Sequence, residues 1–177
     1  NASLHATLAF AVSDRDPDYA ALMVANDIVG GSSNSRLWMR VRETEGLSYD
    51  VRSGIAWNPW ESNSGWTSSA IFAPQNRAKV ETAFQEELAR ALKDGFGVTE
   101  LAEGKRGLLN FRRLSRAQDG NVAGGWTRNL DLGRTFAFSA QVDEQLRALT
   151  LAQVNAALRK YVEPGKFVVG VAGDFKE

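Results

Sequence analysis

The sequence predicts an α+β domain with a four-stranded, mostly antiparallel sheet and helices packed on one of its faces. Three observations favour this class. Strand-like segments occur at residues 4–12, 47–57 and 65–73, and the first begins with a clear period of two. The segments between and after them carry apolar residues at helical spacing. The resulting order is β-α-α-β-β-α, then several helices and a last strand, which is a ferredoxin-like arrangement.

The first two elements form a strand and a helix. Apolar residues alternate with mostly polar or small ones from Leu4 to Val12, as in a strand with one buried face. After a short acidic turn, Pro17 suits the first position of a helix. This helix is expected to continue to about Val29 and to end at Gly30.

A short helix is expected to begin at Ser35, whose hydroxyl can cap the free amides of the first turn. Leu37, Val41 and Trp38 form an apolar stripe at helical spacing. Gly46 lies where a helix C-terminus favours a residue that tolerates positive φ.

The second strand runs from Leu47 to about Trp57, and its period of two predicts that Leu47, Tyr49 and Val51 share one face. Arg42, in the last turn of the preceding helix, is therefore expected to lie beside Tyr49. A guanidinium and a phenol hydroxyl can together bind a carbonyl or carboxylate oxygen. The alternative is a surface arginine favoured by the helix dipole and by Glu45.

A hairpin loop at residues 58–64 leads to the third strand, at about 65–73. Helices are expected at about 76–93 and 99–114, the second with Phe111 among its buried candidates, and a glycine-broken helical segment at 119–138. Ser139 and Thr150 are expected to cap two further helices, 140–148 and 151–161. The last strand, 167–172, is almost purely apolar and is predicted to be central in the sheet.

The bulk properties indicate one domain over residues 1–177, large enough to bury a core. Lys+Arg 21 balances Asp+Glu 21, which argues against a general nucleic-acid or anionic-membrane binder. No apolar run approaches the ~20 residues of a membrane span. The chain has no cysteine, so disulfides, thiolate metal sites and cysteine nucleophiles are excluded.

The sequence also lacks the ligands of a catalytic metal site. A zinc peptidase needs about three protein ligands and an open position for water. His5 is the single histidine, and it lies on a predicted strand with no acidic neighbour at ligand spacing. We therefore expect no metal, no cofactor and no metal-based catalysis in this chain.

Four segments form a distinctive set: 16–22 (DPDYAAL), 30–31 (GG), 35–37 (SRL) and 42–49 (RETEGLSY). They resemble the pitrilysin/insulinase (M16) zinc-peptidase family, and more closely the domain of that family that does not carry the metal. The resemblance covers nearly the whole chain, and its most specific part is Ser-Arg-Leu followed by Arg-Glu and Gly-Leu-x-Tyr.

The resemblance implies the same α+β fold and a role for two residues. In that family an Arg and a Tyr at this separation face the zinc-bearing half and contact the bound peptide; the matching positions are Arg42 and Tyr49. The family's His-x-x-Glu-His motif is absent, so zinc is expected in a partner domain and this chain is expected to be inactive alone. We also expect the chain to be part of a longer polypeptide.

The predicted function is the non-metal half of a clam-shell zinc endopeptidase that cleaves peptides or unfolded proteins. Its partner would be a zinc-bearing M16 domain or subunit. Two alternatives stay open: a non-catalytic structural or assembly subunit of the same fold, like processing-peptidase or respiratory-complex core subunits, and a plain ferredoxin-like ligand-binding module. Both the cytoplasm and the periplasm of a bacterium are compatible with the sequence, with the periplasm slightly favoured.

Overall fold

The computed structural model describes residues 1–175 and contains a four-stranded antiparallel sheet, which confirms the predicted fold class. The order of the strands is β2-β3-β1-β4. Their bounds are β1 Ala2–Phe10, β2 Ser48–Ala56, β3 Ser64–Phe72 and β4 Val168–Ala172.

Helices occupy most of the remaining chain. The α-helices are α1 Tyr19–Asn26, α2 Arg77–Asp94, α3 Val98–Ser115, α4 Asp119–Asp131, α5 Phe136–Ala148 and α6 Leu151–Tyr161. Two π-helical segments lie between β1 and β2, at Asp27–Gly31 and Trp38–Thr44. None of the helices within residues 1–175 combines the length and the apolar character that crossing a membrane requires.

The core lies between one face of the sheet and the helices. Along β1 the side chains from Ala2 to Phe10 alternate, with Leu4 and Leu8 buried and His5 exposed. In β3, Trp66 is fully buried beneath the helices. The helices therefore cover one sheet face, and β1 presents small and polar residues on the other.

The prediction that the last strand is central was wrong. β4 pairs only with β1 and forms an edge of the sheet within the described residues. Val168 lies on the uncovered face and is 76% exposed, whereas Phe167, just before the strand, packs edge-on against Phe84 of α2 at 5.5 Å. An apolar run indicates burial, but the place of a strand in the sheet depends on tertiary pairing.

The glycine-broken helical segment is found as predicted, whereas the cap of the next helix differs from the prediction. The segment resolves into α4 and a turn at Gly133, whose φ is +61°. Thr135, which has extended backbone angles, accepts a hydrogen bond from the Ala137 amide and caps α5 in place of Ser139. Ser139 lies inside α5, where its hydroxyl accepts hydrogen bonds from arginines of α3. Phe111 of α3, expected to be buried, is 70% exposed.

Candidate functional site

The segment that holds Arg42 is an unusually wide helical turn. Ser35 begins it as predicted, because its Oγ accepts a hydrogen bond from the Trp38 amide at 3.4 Å. The Glu45 amide then donates to the Arg40 carbonyl, five residues earlier, at 2.9 Å, which is the π-helical pattern. Gly46 ends the segment with φ +60°, as predicted. Short π-helical turns of this kind occur frequently at functional sites.

Two arginines fix this segment to neighbouring helices. The Arg36 guanidinium donates to both carboxylate oxygens of Glu100 at 2.6 and 2.8 Å, and also to the Gly95 carbonyl at 2.9 Å. The hydrogen bond with Glu100 raises the pKa of Arg36 above its ordinary value. On the next turn, Arg40 pairs with Glu86 and Glu87 of α2. The segment therefore has a fixed position relative to α2 and α3.

Arg42 is held by three groups. Its Nη1 donates to the backbone carbonyl of Tyr49 at 2.5 Å. Its guanidinium lies 4.4 Å from the centre of the Trp38 ring, and its Nε is 3.7 Å from Oε1 of Glu43. Glu43 in turn accepts a hydrogen bond from the Trp38 indole at 3.1 Å. Because a guanidinium carries five N–H donors, Arg42 keeps donors beyond those that these contacts engage.

Tyr49 projects into solvent because β2 is irregular at this residue. Ser48 pairs with Phe72 and Asp50 with Ile71, so Tyr49 is the additional residue of a β-bulge. Its side chain is 88% exposed, while Ser48 and Val51 point into the core. The prediction that Tyr49 shares a face with Leu47 and Val51 was therefore wrong, since an inserted residue changes the alternation.

The structure thus brings Arg42 to the backbone of Tyr49, not to its hydroxyl. The Tyr49 hydroxyl makes no hydrogen bond to the part of the chain that the structure describes. The π-helical segment and the bulge together place the Arg42 guanidinium at the backbone from which the Tyr49 phenol projects. Both groups are hydrogen-bond donors, which suits the binding of a carbonyl or carboxylate oxygen.

Trp38 and Glu43 are the site residues that sequence analysis missed. Trp38 was assigned to the apolar stripe, although it lies four residues before Arg42, a spacing that places two helical side chains on the same face. The cation–π contact could have been predicted from this four-residue spacing.

The residues of this chain do not fit a zinc site. Among residues 1–175, no three His, Cys, Asp or Glu side chains are grouped so that they could hold a metal ion. His5 lies on the uncovered sheet face, where its cross-strand neighbours are Ser69 and Gly170. These neighbours offer no second imidazole or carboxylate ligand.

Comparisons with known proteins identify the family and the fold of this chain. A family model described as the peptidase M16 inactive domain matches residues 2–108. The uncharacterized zinc protease YmxG of Bacillus subtilis (strain 168) is 29% identical over 140 residues, which make up 78% of this chain and 34% of that protein.

Two solved structures share the fold. A peptidase M16 inactive domain from Pseudomonas fluorescens has a TM-score of 0.81 at 26% identity, covering 100% of this chain and 43% of that one. A putative zinc protease from Bordetella pertussis Tohama I has a TM-score of 0.78 at 18% identity, covering 97% and 93%. The chain therefore spans about a third of YmxG and less than half of the P. fluorescens chain.

Proposed function

Because this chain belongs to the peptidase M16 family as an inactive domain, we propose that it forms the non-metal half of a zinc endopeptidase and binds the substrate backbone through Arg42 and Tyr49. The zinc and the groups that activate water are supplied by a partner M16 domain, in the same polypeptide or in a separate subunit. The substrates are peptides or unfolded proteins. This chain closes the reaction chamber over them.

The observation that carries the proposal is the fixed position of Arg42 beside an exposed Tyr49. The Tyr49 carbonyl, Trp38 and Glu43 restrain the Arg42 side chain. A restrained donor loses little conformational entropy when a ligand binds. The Tyr49 side chain is exposed at the bulge, and its hydroxyl makes no hydrogen bond within the described residues, so it can meet a substrate without first breaking one.

In the proposed mechanism the two side chains have different partners. The Tyr49 hydroxyl donates a hydrogen bond to the carbonyl oxygen of the peptide bond under attack, where negative charge develops. Arg42 donates to a neighbouring carbonyl and fixes the register of the peptide. Donors positioned for developing charge lower the barrier more than they strengthen ground-state binding.

Peptide hydrolysis by the zinc-bearing partner, assayed with and without this domain, tests the proposal. We expect the partner alone to have little activity and addition of this domain to restore it. Equal rates in both assays would contradict the proposed role and would favour a structural or assembly subunit.

A further inference from the structure

A second cavity, of about 430 Å³, lies away from Arg42 and Tyr49. Its wall combines the start of α1 and the end of β2 with α3, α4 and α5. The volume falls within the ~300–1,000 Å³ of pockets that hold small ligands. Neither Arg42 nor Tyr49 lines it, so an inference about this cavity is independent of the proposed catalytic role.

The wall of this cavity is rich in arginine. Asp14 pairs with both terminal nitrogens of Arg134 at 2.6 and 2.8 Å. Arg112 and Arg116 share the carboxylate of Asp143. The guanidinium of the fourth arginine, Arg128 of α4, makes no hydrogen bond or ion pair with any residue in the range 1–175. Four guanidinium groups thus face two carboxylates, and a positive excess remains at the cavity.

A hydroxyl group also lacks a partner at this cavity. The Tyr19 hydroxyl forms no hydrogen bond to the described residues. Burial raises the pKa of Tyr19, and the charges of Arg112, Asp14 and Arg128 also act on it. The phenol and the arginines come from separate elements and line the same cavity. At neutral pH the phenol keeps its proton and is a hydrogen-bond donor.

Aromatic rings form a further part of the wall. Trp57 lies edge-on to Tyr19, with the ring centres 4.6 Å apart. The Arg134 guanidinium lies 4.1 Å from the centre of the Phe138 ring, and Phe136 packs against Trp126 at 5.4 Å. A small inorganic anion has no apolar group to pack against aromatic rings. An organic anion whose carboxylate adjoins an apolar group can pack that group against them.

We propose that this cavity binds a carboxylate of a peptide, with Arg128 and Tyr19 as its donors and the aromatic wall as the site of an adjacent apolar side chain. The carboxylate is either the C-terminal group or an acidic side chain. Neither the Arg128 guanidinium nor the Tyr19 hydroxyl has a partner within residues 1–175, so binding breaks none of the ion pairs described above. A charge-assisted hydrogen bond to Arg128 then supplies most of the selectivity.

Binding to the full-length protein that contains this chain tests the proposal. The probes are acetyl-Phe-Ala with a free C-terminus, acetyl-Phe-Glu-amide, the neutral acetyl-Phe-Gln-amide, and inorganic phosphate. Calorimetry measures affinity, and tryptophan fluorescence reports on Trp57 in the wall. We expect at least one of the two carboxylate peptides to bind, and the tighter of them identifies the source of the carboxylate. The neutral peptide and phosphate should bind at least tenfold more weakly.

Variants distinguish binding at this cavity from non-specific electrostatic attraction to surface arginines. Arg128→Gln is expected to weaken binding roughly tenfold to a hundredfold, the range for loss of a charged hydrogen bond. Arg113→Gln changes an exposed α3 arginine whose guanidinium, among residues 1–175, bonds only to Asn110, and it should leave the affinity unchanged. Trp57→Phe should remove the fluorescence change, which assigns that signal to the cavity wall. The proposal is overturned if no carboxylate peptide binds, if phosphate or the neutral peptide binds as well, or if Arg128→Gln has no effect.

Discussion

The guanidinium of Arg42 donates its hydrogen bond to the backbone carbonyl of Tyr49, at 2.5 Å. The contact joins the last turn of the π-helical segment to the bulged residue of β2. The arginine therefore helps to fix the backbone from which the phenol projects. Substitution of Arg42 is therefore expected to change the position of the Tyr49 side chain, so the effects of the two substitutions on catalysis should not be additive.

Trp38 is expected to position Arg42. Trp38→Leu removes both the ring beneath the guanidinium and the indole donor to Glu43. Because a cation–π contact contributes about 0.5–2 kcal/mol, kcat/KM of the intact enzyme should fall roughly 2- to 30-fold. Trp60→Leu, in the exposed hairpin loop, is the matched control and should be neutral. If the two variants have the same kcat/KM, Trp38 does not position Arg42.

The Arg36–Glu100 pair should matter for folding. Glu100→Gln leaves a half-buried guanidinium without its carboxylate. We expect the free energy of unfolding to fall by about 1–3 kcal/mol, below the value for a fully buried pair because Glu100 is partly accessible. Glu144→Gln breaks an exposed pair with Arg147 and should change stability by less than about 0.5 kcal/mol. Urea denaturation of both variants measures the difference.

Asp27 should make stability depend on pH. Burial raises the pKa of its carboxyl from 3.8 to about 6. Since the folded-state pKa is the higher one, the folded protein holds this proton more tightly, and stability decreases as the pH rises from about 4 to about 6. Asp27→Asn should therefore stabilise the fold by about 1–2 kcal/mol above pH 6 and by nothing below pH 4.

Denaturation curves at pH 4 and pH 7 check the Asp27 prediction. Asp131→Asn, on the exposed side of α4, is the control. A stabilisation by Asp27→Asn that is the same at both pH values would show that the effect does not come from ionisation.

The local elements could be predicted from the sequence, because hydrophobic period and caps such as Ser35 and Thr150 are local signals. The bulge at Tyr49 could not, since the alternation of Leu47, Tyr49 and Val51 looks regular until pairing with β3 introduces the extra residue. The edge position of β4 likewise depends on which strands pair.

The arginine-lined cavity could not be predicted from the sequence either. Its residues come from elements far apart in the chain, such as Asp14 and Arg134, which form an ion pair. Arg112 of α3 likewise reaches Asp143 of α5, 31 residues later in the chain.

Arg42→Lys is expected to be costly although it keeps the charge. An ammonium cannot reproduce the planar fork that reaches the Tyr49 carbonyl and a substrate carbonyl together. We expect kcat/KM of the intact enzyme to fall roughly tenfold. The control is Arg52→Lys, an exposed β2 arginine paired with Asp50. If both lysine variants retain full activity, Arg42 does not bind substrate in the proposed way.

Steady-state kinetics of Tyr49→Phe in the intact, zinc-bearing enzyme test the central claim most directly. The phenyl ring keeps the shape of the side chain and loses only the donor, so the thermal melt should match that of the unchanged protein. If the hydroxyl stabilises the developing charge, kcat should fall by about 10²–10³-fold with KM little changed. A kcat close to that of the unchanged enzyme would contradict the proposed role of Tyr49 and leave a structural role as the better account of this domain.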